Sequence, residues 1–385
     1  MKIVDVCAFL SPKGGGVKTY IEQKLAIGPA LGHEIVIIAP GSRHETIERG
    51  PRARIVTIPS PRFPLDRNYW YFADEAALHE ALDREAPDFV EVSSPWRSPL
   101  MVARWNGSAP RALVMHADPL SAYAYRWLGP FLSREAIDRQ FEPFWAHLRE
   151  LGGSFDRVVC ASRELRDRLE AGGVASTALH PMGVEEGLFS PARRDPETRR
   201  KLLALCGLPE SALLLAGIGR LSAEKRWPMV VDAAAAAGQH HPIGLVLLGA
   251  GSQHARIARQ IAGNPHIRIL QPERNRERFA TILASVDAVI HGCEAETFCM
   301  VAAEARASGV PLIVPDRGGA ADHAGNGAGI AYRAGSAPAA TEAILALLAR
   351  RDMFSRHPAT TMRQHFSGLF ADYMLLANRE NRAVA

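Results

Sequence analysis

The feature that most constrains the fold is a repeated alternation of short apolar runs with amphipathic helical patterns. The alternation occupies the first 171 residues and starts again near residue 213. The runs predicted as strands are 3–10, 34–39, 89–92, 112–116 and 157–161, then 213–218, 243–248, 267–270, 288–291 and 311–315. Such alternation predicts a parallel sheet with helices on both faces, and its restart predicts a second one.

The length and composition support two domains. The chain has 385 residues and is 47% hydrophobic, which is more than one core usually accommodates. Proline and glycine recur between residues 181 and 196, as in a linker. We therefore expect Rossmann-like domains over 1–180 and 181–360, followed by a helix over 361–385 with apolar residues at helical spacing.

The charge balance and the cysteines exclude several classes of protein. Lys plus Arg is 45 and Asp plus Glu is 41, so the net charge of +4 does not indicate nucleic acid but is compatible with phosphorylated ligands or an anionic membrane. Five cysteines without a C-x-x-C pair argue against a disulfide framework or a zinc cluster. With no signal peptide or long apolar run evident, we expect a soluble cytoplasmic protein, with peripheral contact at the inner face of the membrane left open.

The strongest motif is HGCEAETFCMVAAEARASGVPLIVPDRGG, from His291 to Gly319. A strand is predicted to end at His291, a loop to carry Glu296, and a helix to begin near Phe298. The eight-residue spacing to Glu304 is slightly over two helical turns, so both carboxylates could approach one ligand. Spacing alone would fit a surface helix with two solvated glutamates, but the loop and the following strand favour a site.

The start of that predicted helix offers a second kind of ligand group. Its first-turn amides, those of Phe298, Cys299 and Met300, would lack intrahelical partners and could bind an anion. Carboxylates that accept sugar hydroxyls, beside amides that bind a phosphate, indicate a nucleotide-sugar site.

The second motif is GIGRLSAEKR, from Gly217 to Arg226, directly after a predicted strand. Arg220 and Lys225 lie on a glycine-containing loop that can approach a ligand closely. A guanidinium and an ammonium together could clamp a diphosphate. An ordinary basic loop remains an equal alternative when this segment is taken alone.

With both motifs in this order, the chain resembles the GT-B retaining glycosyltransferases of family 4, which carry G-R-x4-K and E-x7-E motifs. The resemblance implies an α/β GT-B fold, two doubly wound Rossmann-like domains facing across a cleft, with the last helix crossing back to the first domain. It also implies transfer of a hexose from a nucleoside diphosphate sugar, UDP-hexose favoured and GDP-mannose next, to a hydroxyl of a lipid, glycan or small molecule. No metal or other cofactor is expected, and front-face attack by the acceptor would retain the anomeric configuration.

The resemblance also assigns roles to residues. Arg220 and Lys225 would hold the diphosphate, Glu296 the donor sugar, and Glu304 the ribose. Cys299 stands where the family usually has glycine. The other donor-binding positions that the resemblance implies are Gly15, Gly16, Gly219, Gly249, Gly251, Gln271, Thr297, Phe298, Cys299 and Met300. The catalytic group would comprise His116, Arg220, Lys225 and Glu296.

Two first-half features have competing interpretations. His116 ends a predicted strand and precedes Asp118, which suits a place near the reaction centre, but a buried core histidine would also fit. Lys13 to Thr19 is similar to a deviant Walker-A loop. Val17 stands where that loop requires glycine, so an ATPase is the remote alternative. A GT-B-like epimerase and a non-catalytic nucleotide-sugar binding protein are the nearer ones.

Two stretches, 43–71 and 123–145, combine arginines with aromatic residues. Such a combination suits a membrane interface or a lipid-linked acceptor. For the second stretch, core aromatics beside solvated arginines are the more ordinary interpretation.

Overall fold

The computed structural model describes residues 1–8, 10, 16–64, 69–129, 131–350, 354 and 359–384, without the side chains of 380–384. Its residues cluster into two compact units. The first comprises Met1–Pro119, Trp127–Met182 and Met362–Ala385, and the second comprises Leu120–Arg126 and Gly183–Thr361. Leu120–Arg126 thus clusters with the second unit, although the sequence analysis assigned it to the segment 1–180.

The first unit contains a sheet of eight strands in the order β3-β4-β2-β1-β5-β6-β7-β8. All neighbours are parallel except β3 and β4, which form an antiparallel pair at the edge. The strands are β1 Lys2–Val6, β2 Glu34–Gly41, β3 Glu45–Gly50, β4 Ala53–Pro59, β5 Phe89–Ser93, β6 Arg111–Val114, β7 Arg157–Cys160 and β8 Thr177–Leu179.

Helices accompany this sheet, and the last helix of the chain clusters with the same unit. The helices of the first half are α1 Gly16–Ala30, α2 Glu75–Glu85, α3 Arg97–Ala103, α4 Tyr125–Leu128, α5 Arg134–Gln140, α6 Glu142–Ser154 and α7 Arg163–Ala171, with a π-helical turn at Leu120–Ala124. The last helix, Met362–Val384, buries Phe366, Phe370 and Tyr373. Three aromatic side chains at helical spacing explain why this helix forms and packs.

The second unit contains a fully parallel sheet in the order β11-β10-β9-β12-β13-β14. Its strands are β9 Leu213–Ile218, β10 Ile243–Leu248, β11 Ile267–Leu270, β12 Ala288–Ile290, β13 Leu312–Pro315 and β14 Gly329–Tyr332. Its helices are α8 Pro196–Leu205, α9 Trp227–Ala237, α10 His254–Gln260, α11 Arg276–Ser285, α12 Met300–Ala307, α13 Gly319–Ala324 and α14 Ala337–Ala349, and the last helix of the chain is α15. Every residue of β9 and β10 is buried, because helices cover both faces of a parallel sheet.

Several strand ends differ from the sequence-based prediction. β1 ends at Val6 instead of residue 10, β6 ends at Val114 instead of His116, and β12 ends at Ile290 instead of His291. His116 and His291 therefore lie in the loops that follow their strands. Strands β3, β8 and β14 were not predicted, because they are short or polar and lie at a sheet edge. β4 was not predicted either, although it is mostly buried and lies inside the sheet; its residues fall in the basic and aromatic stretch 43–71.

The first of the two basic and aromatic stretches is largely a hairpin with paired charges. Arg43 bonds to Glu45, Arg49 pairs with Glu22, and Arg54 bonds to Glu34 at 2.7 Å. These three arginines have acidic partners within the protein, and the acceptor or membrane surface expected from the stretch stays a prediction. Arg67 lies outside the described residues.

The second stretch is mixed. Trp145 is buried and its indole N–H donates to Asp138, whereas Trp127 and Phe131 are exposed. Core packing thus explains only part of this aromatic cluster. Among the described residues, no helix combines the length and apolar character needed to cross a bilayer.

Candidate functional site: a cluster of strand-end loops in the second unit

The candidate site is built by the loops that follow β9, β10, β12 and β13. These strands are neighbours in the sheet order β10-β9-β12-β13. The carboxyl ends of parallel strands meet at one edge, which is where ligands bind in sheets of this kind. Both sequence motifs therefore lie at the same edge of one unit.

The loop after β9 is held by a buried tryptophan. The indole N–H of Trp227 donates to the carbonyl of Arg220 at 2.8 Å, and Trp227 is fully buried. The Arg220 side chain is exposed and forms no ion pair with any residue that the structure describes. Its guanidinium is therefore available to an anionic ligand.

Gly249, after β10, packs against the β9 loop. A Cβ at Gly249 would lie 2.0 Å from the carbonyl oxygen of Gly219, and one at Gly251 would lie 2.5 Å from that of Leu221. A side chain at either position would force the two loops apart. The immediate reason for both glycines is loop packing, which the sequence analysis did not foresee.

Glu296 is the centre of the site. Its carboxylate bonds to the Lys225 ammonium and accepts from Nε2 of His291 at 3.1 Å. Burial disfavours the charged form, but the Lys225 ammonium and the His291 ring outweigh it and hold the pKa of Glu296 well below its usual range. The same pairing, against burial, raises the pKa of Lys225 above its usual value. Glu296 and Lys225 are thus an ion pair at neutral pH.

A second pair lies beside the first. The guanidinium of Arg226 bonds to Glu294 at 2.5 Å, so consecutive basic residues on one loop pair with alternate acidic residues on the other. Arg226, Glu294 and His291 had no role in the sequence-based prediction. The signal that could have revealed them is the match between Lys-Arg at 225–226 and Glu-x-Glu at 294–296.

The loop after β13 fixes the backbone of the acidic loop. The amide of Gly319 donates to the carbonyl of Glu296 at 2.6 Å, and a Cβ at Gly319 would lie 2.6 Å from the Phe298 nitrogen. Only glycine fits at this distance. The turn of residues 316–319 therefore positions Glu296 through its main chain.

The helix of the main motif begins later than predicted. α12 starts at Met300, and Cys299 is its N-cap residue with a φ of +70°. Of the three amides predicted for the first turn, only that of Met300 is in the helix; Cys299 is the N-cap residue, and Phe298 belongs to the buried end of the loop. The left-handed backbone at Cys299 also explains why glycine suits this position in similar chains.

This geometry predicts the stability of two variants. Cys299→Gly and Cys299→Ala both remove the thiol, but only glycine adopts a φ of +70° without strain. We expect the glycine variant to exceed the alanine variant by about 1 kcal/mol in the free energy of unfolding, measured with urea. At an ordinary helical position the alanine variant would be the more stable of the two. An alanine variant that is more stable than the glycine variant would therefore contradict the left-handed backbone conformation at residue 299.

Glu304 has a different partner from Glu296. It lies on α12, is 4% exposed and accepts from Arg276 at 2.9 Å. Burial raises its pKa to about 7, against the opposing effect of the Arg276 guanidinium. Glu296 lies in the loop before the helix, as predicted, and Glu304 lies on the helix. Their approach to one ligand stays a prediction. Arg276, which the sequence analysis did not consider, links α11 to this carboxylate.

One group of side chains has the composition of a metal site. Ligand atoms of His291, Glu296 and Cys299 lie within 4.8 Å of one another. The same carboxylate already bonds to the ammonium of Lys225, which supplies a positive charge at this point. The expectation that no metal is needed stays a prediction.

The remaining predicted residues lie elsewhere. Gln271 is exposed immediately after β11, and Gly16 is the first residue of α1. Gly15 lies outside the described residues, as do the other two residues at the start of the Walker-like segment, 13 and 14. His116, in the first unit, has its ring centroid 4.9 Å from that of Tyr20. Burial and the Lys24 ammonium lower the pKa of His116 to about 3, so its ring is neutral at pH 7.

Solved structures resemble the whole chain. A sucrose-phosphate synthase from Thermosynechococcus elongatus matches all of this chain and 99% of its own with a TM-score of 0.70, at 17% identity. The lipopolysaccharide glycosyltransferase WaaG matches 98% of this chain with a TM-score of 0.62, at 15% identity. At these identities the likeness shows the fold alone, which is the GT-B fold with two Rossmann-like units.

Sequence comparisons then give the family. Residues 14–208 match the family described as Glycosyltransferase Family 4, and residues 204–361 match that described as Glycosyl transferases group 1. The chain therefore belongs to glycosyltransferase family 4. It is a glycosyltransferase that uses a nucleotide-sugar donor, which confirms the predicted fold class and enzyme class.

Two curated relatives are similar over most of their length. A GDP-mannose-dependent alpha-(1-6)-phosphatidylinositol dimannoside mannosyltransferase of Mycobacterium tuberculosis is 31% identical over 320 residues, 82% of this chain and 79% of the relative. A GDP-mannose-dependent alpha-mannosyltransferase of Corynebacterium glutamicum is 27% identical over 325 residues, 84% of this chain and 74% of the relative.

Proposed function

We propose that this glycosyltransferase moves a mannosyl residue from GDP-mannose to a hydroxyl of a lipid-linked glycan, with retention and without a metal. The observation that carries the proposal is the Lys225–Glu296 pair beside the exposed Arg220 at one sheet edge. UDP-hexose was the donor that the family resemblance favoured. The printed names of the relatives support GDP-mannose instead, and the first of them supports an acceptor built on phosphatidylinositol.

The basic groups would stabilise the leaving diphosphate. Arg220 can form two charge-assisted hydrogen bonds, and Lys225 can share its ammonium between Glu296 and a phosphate oxygen. The amide of Met300, at the start of α12, adds a donor at the positive end of a helix. Charges that are already in place when the bond breaks lower the barrier most.

The carboxylates would recognise the sugars. Ionised Glu296 accepts hydrogen bonds from hydroxyls of the transferred hexose. Glu304, with a pKa of about 7, can accept from or donate to the ribose hydroxyls. We assign the base to the loop at Gln271, directly beyond β11.

The reaction would proceed on one face of the sugar. The acceptor oxygen bonds to the anomeric carbon as the bond to the diphosphate oxygen breaks, and the acceptor proton passes to that departing oxygen. No enzyme nucleophile is needed. Burial holds the pKa of Cys299 well above its usual value, so this thiol stays protonated and unsuited to nucleophilic attack. His116, neutral at pH 7, is the proposed catalytic residue of the first unit.

Two alternatives predict different behaviour of the same site. An epimerase would convert the nucleotide sugar without an acceptor, and a sensor would bind it without any turnover. Mutation of Glu296 separates the sensor from the two enzymes, because a sensor has no turnover to lose. An assay without an acceptor separates the epimerase from the transferase.

The donor can be identified by thermal stabilisation. We expect GDP and GDP-mannose, at about 100 times their Kd and with EDTA present, to stabilise the protein by about 2.7 kcal/mol, which is a rise of several degrees in Tm. Arg220→Ala should weaken that binding by roughly 10- to 100-fold, since a charged hydrogen bond contributes about 1.5–3 kcal/mol.

Arg256→Ala is the matched control, because Arg256 is an exposed arginine on α10 of the same unit. A shift with UDP and UDP-hexoses alone would replace GDP-mannose by the first sequence-based choice. A shift that needs ATP and magnesium would support the ATPase alternative. No shift with any nucleotide would overturn the assigned donor site.

A further inference from the structure

A histidine of the last helix has both ring nitrogens engaged. His365, near the start of α15, is 5% exposed; its Nδ1 lies 2.9 Å from the carbonyl oxygen of Pro181 and its Nε2 lies 3.2 Å from the hydroxyl of Tyr20. Because a carbonyl only accepts, Nδ1 carries the hydrogen and Nε2 offers a lone pair. The Tyr20 hydroxyl must therefore donate to His365.

Tyr20 in turn packs against His116. Their ring centroids are 4.9 Å apart at an interplanar angle of 67°, an edge-to-face contact. The Lys24 ammonium lies 5.3 Å from the centroid of the Tyr20 ring, and Tyr20 is 1% exposed. The Tyr20 ring is thus held at its hydroxyl by one group and across its face by another, with the imidazole of His116 against it.

The charged groups around this contact come from three elements. Lys24 lies on α1 with Tyr20, and its ammonium bonds to Asp5 of β1 at 2.7 Å and to Glu91 of β5 at 2.5 Å. His365 approaches from α15, where burial lowers its pKa to about 3, so it is neutral at pH 7. Besides burial, the positive charge of Lys24 lowers the pKa of His116.

We propose that Tyr20 and His365 are positioning residues for His116: the last helix, through His365, fixes the ring of Tyr20, and that ring fixes the orientation of the His116 imidazole, whose Nε2 is shielded from solvent although the residue as a whole is half-buried. The part of this inference that concerns catalysis rests on the proposed function of His116. The part that concerns the orientation and protonation of the His116 imidazole is independent of that function.

Loss of the Tyr20–His365 bond would have a specific consequence. The Tyr20 ring would keep its volume but lose the hydroxyl contact that sets its angle. Water could then reach the shielded Nε2 of His116, and a better solvated imidazole takes up a proton more readily. A merely structural role for His365 would lower stability without changing the titration of His116.

The test is an NMR titration of the His116 ring protons, assigned with His116→Gln. In the wild-type protein we expect the His116 ring not to titrate above about pH 5. An ordinary histidine, by contrast, has a pKa of about 6.5. In Tyr20→Phe and in His365→Asn, which keeps a donor for Pro181, the apparent pKa should rise by at least about one unit. The double variant should match either single variant, because both remove the same bond.

A matched control is available in a histidine that contacts the same helix, α15. His33 is a buried histidine of the turn before β2, its ring centroid lies 5.0 Å from that of Phe370 of α15, and it forms no hydrogen bond with Tyr20. His33→Asn should leave the titration of His116 unchanged. If Tyr20→Phe and His365→Asn also leave it unchanged, or if His116 titrates near pH 6.5 in the wild type, the inference is wrong.

Kinetics then test the catalytic part separately. With the donor identified by binding, both variants should lower kcat about tenfold while the donor KM changes less than about twofold, because the donor site lies in the other unit. A shifted His116 titration with unchanged kcat would uphold the positioning of His116 and contradict its proposed role in transfer.

Discussion

Glu296→Gln is expected to lower kcat by about 10²–10³-fold, the range typical for loss of one preorganised electrostatic group. Glutamine keeps the size of the side chain but loses the charge that pairs with Lys225 and accepts from His291. The Lys225 ammonium would then be free to bind the diphosphate alone. Affinity for GDP should therefore be unchanged or higher, and the loss should appear in turnover.

The measurement is a comparison of steady-state kcat with the Kd for GDP from titration calorimetry. Glu277→Gln is the matched control, because Glu277 is an exposed glutamate of the same unit that pairs with Arg193. A variant at position 296 that loses GDP affinity in proportion to turnover would mean that Glu296 serves binding and not transfer.

Lys24→Met is expected to cause the largest loss of stability. Lys24 is fully buried between Asp5 and Glu91, and the Tyr373 hydroxyl of α15 also donates to Glu91 at 2.9 Å. Without the ammonium, two carboxylates would remain buried together without a counter-charge. Removal of one member of such a group typically costs about 3–5 kcal/mol.

Urea denaturation monitored by circular dichroism measures this effect in the transition of the first unit. Lys201→Met, at an exposed lysine of α8, should change the free energy of unfolding by less than about 0.5 kcal/mol. Adding Asp5→Asn to Lys24→Met should restore part of the loss, since one buried charge is removed. A Lys24→Met protein as stable as the wild type would show that the lysine contributes no net stabilisation.

The sequence was most informative where strands are buried on both faces. The predicted limits of β9 and β10 match the structure, because a parallel strand covered by helices is a continuous apolar run. The limits of β11 also match, although it is a half-buried edge strand. β3 is polar and exposed, so its residues were interpreted as part of a basic surface. Its arginine partners could not be predicted, since Arg49 meets Glu22 across 27 positions of the chain.

The site was predicted as parts and not as an assembly. Lys225 and Glu296 were each assigned from their own motif, but their pairing over 71 positions depends on β9 and β12 being neighbours. The backbone of Cys299 was equally hidden, because a left-handed N-cap is usual for glycine and not for cysteine. His365 could be assigned no role at all, since its contacts depend on how α15 packs.

The most direct test of the central claim is transfer itself, with GDP-mannose, a phosphatidylinositol mannoside and EDTA, followed by mass spectrometry of the acceptor. The account predicts that the acceptor gains the mass of one hexosyl residue with the wild-type protein, and that Glu296→Gln yields far less. If GDP-mannose binds to the wild-type protein but neither this acceptor nor any other glycan, lipid or small-molecule hydroxyl gains a hexose, the assigned transferase activity is contradicted.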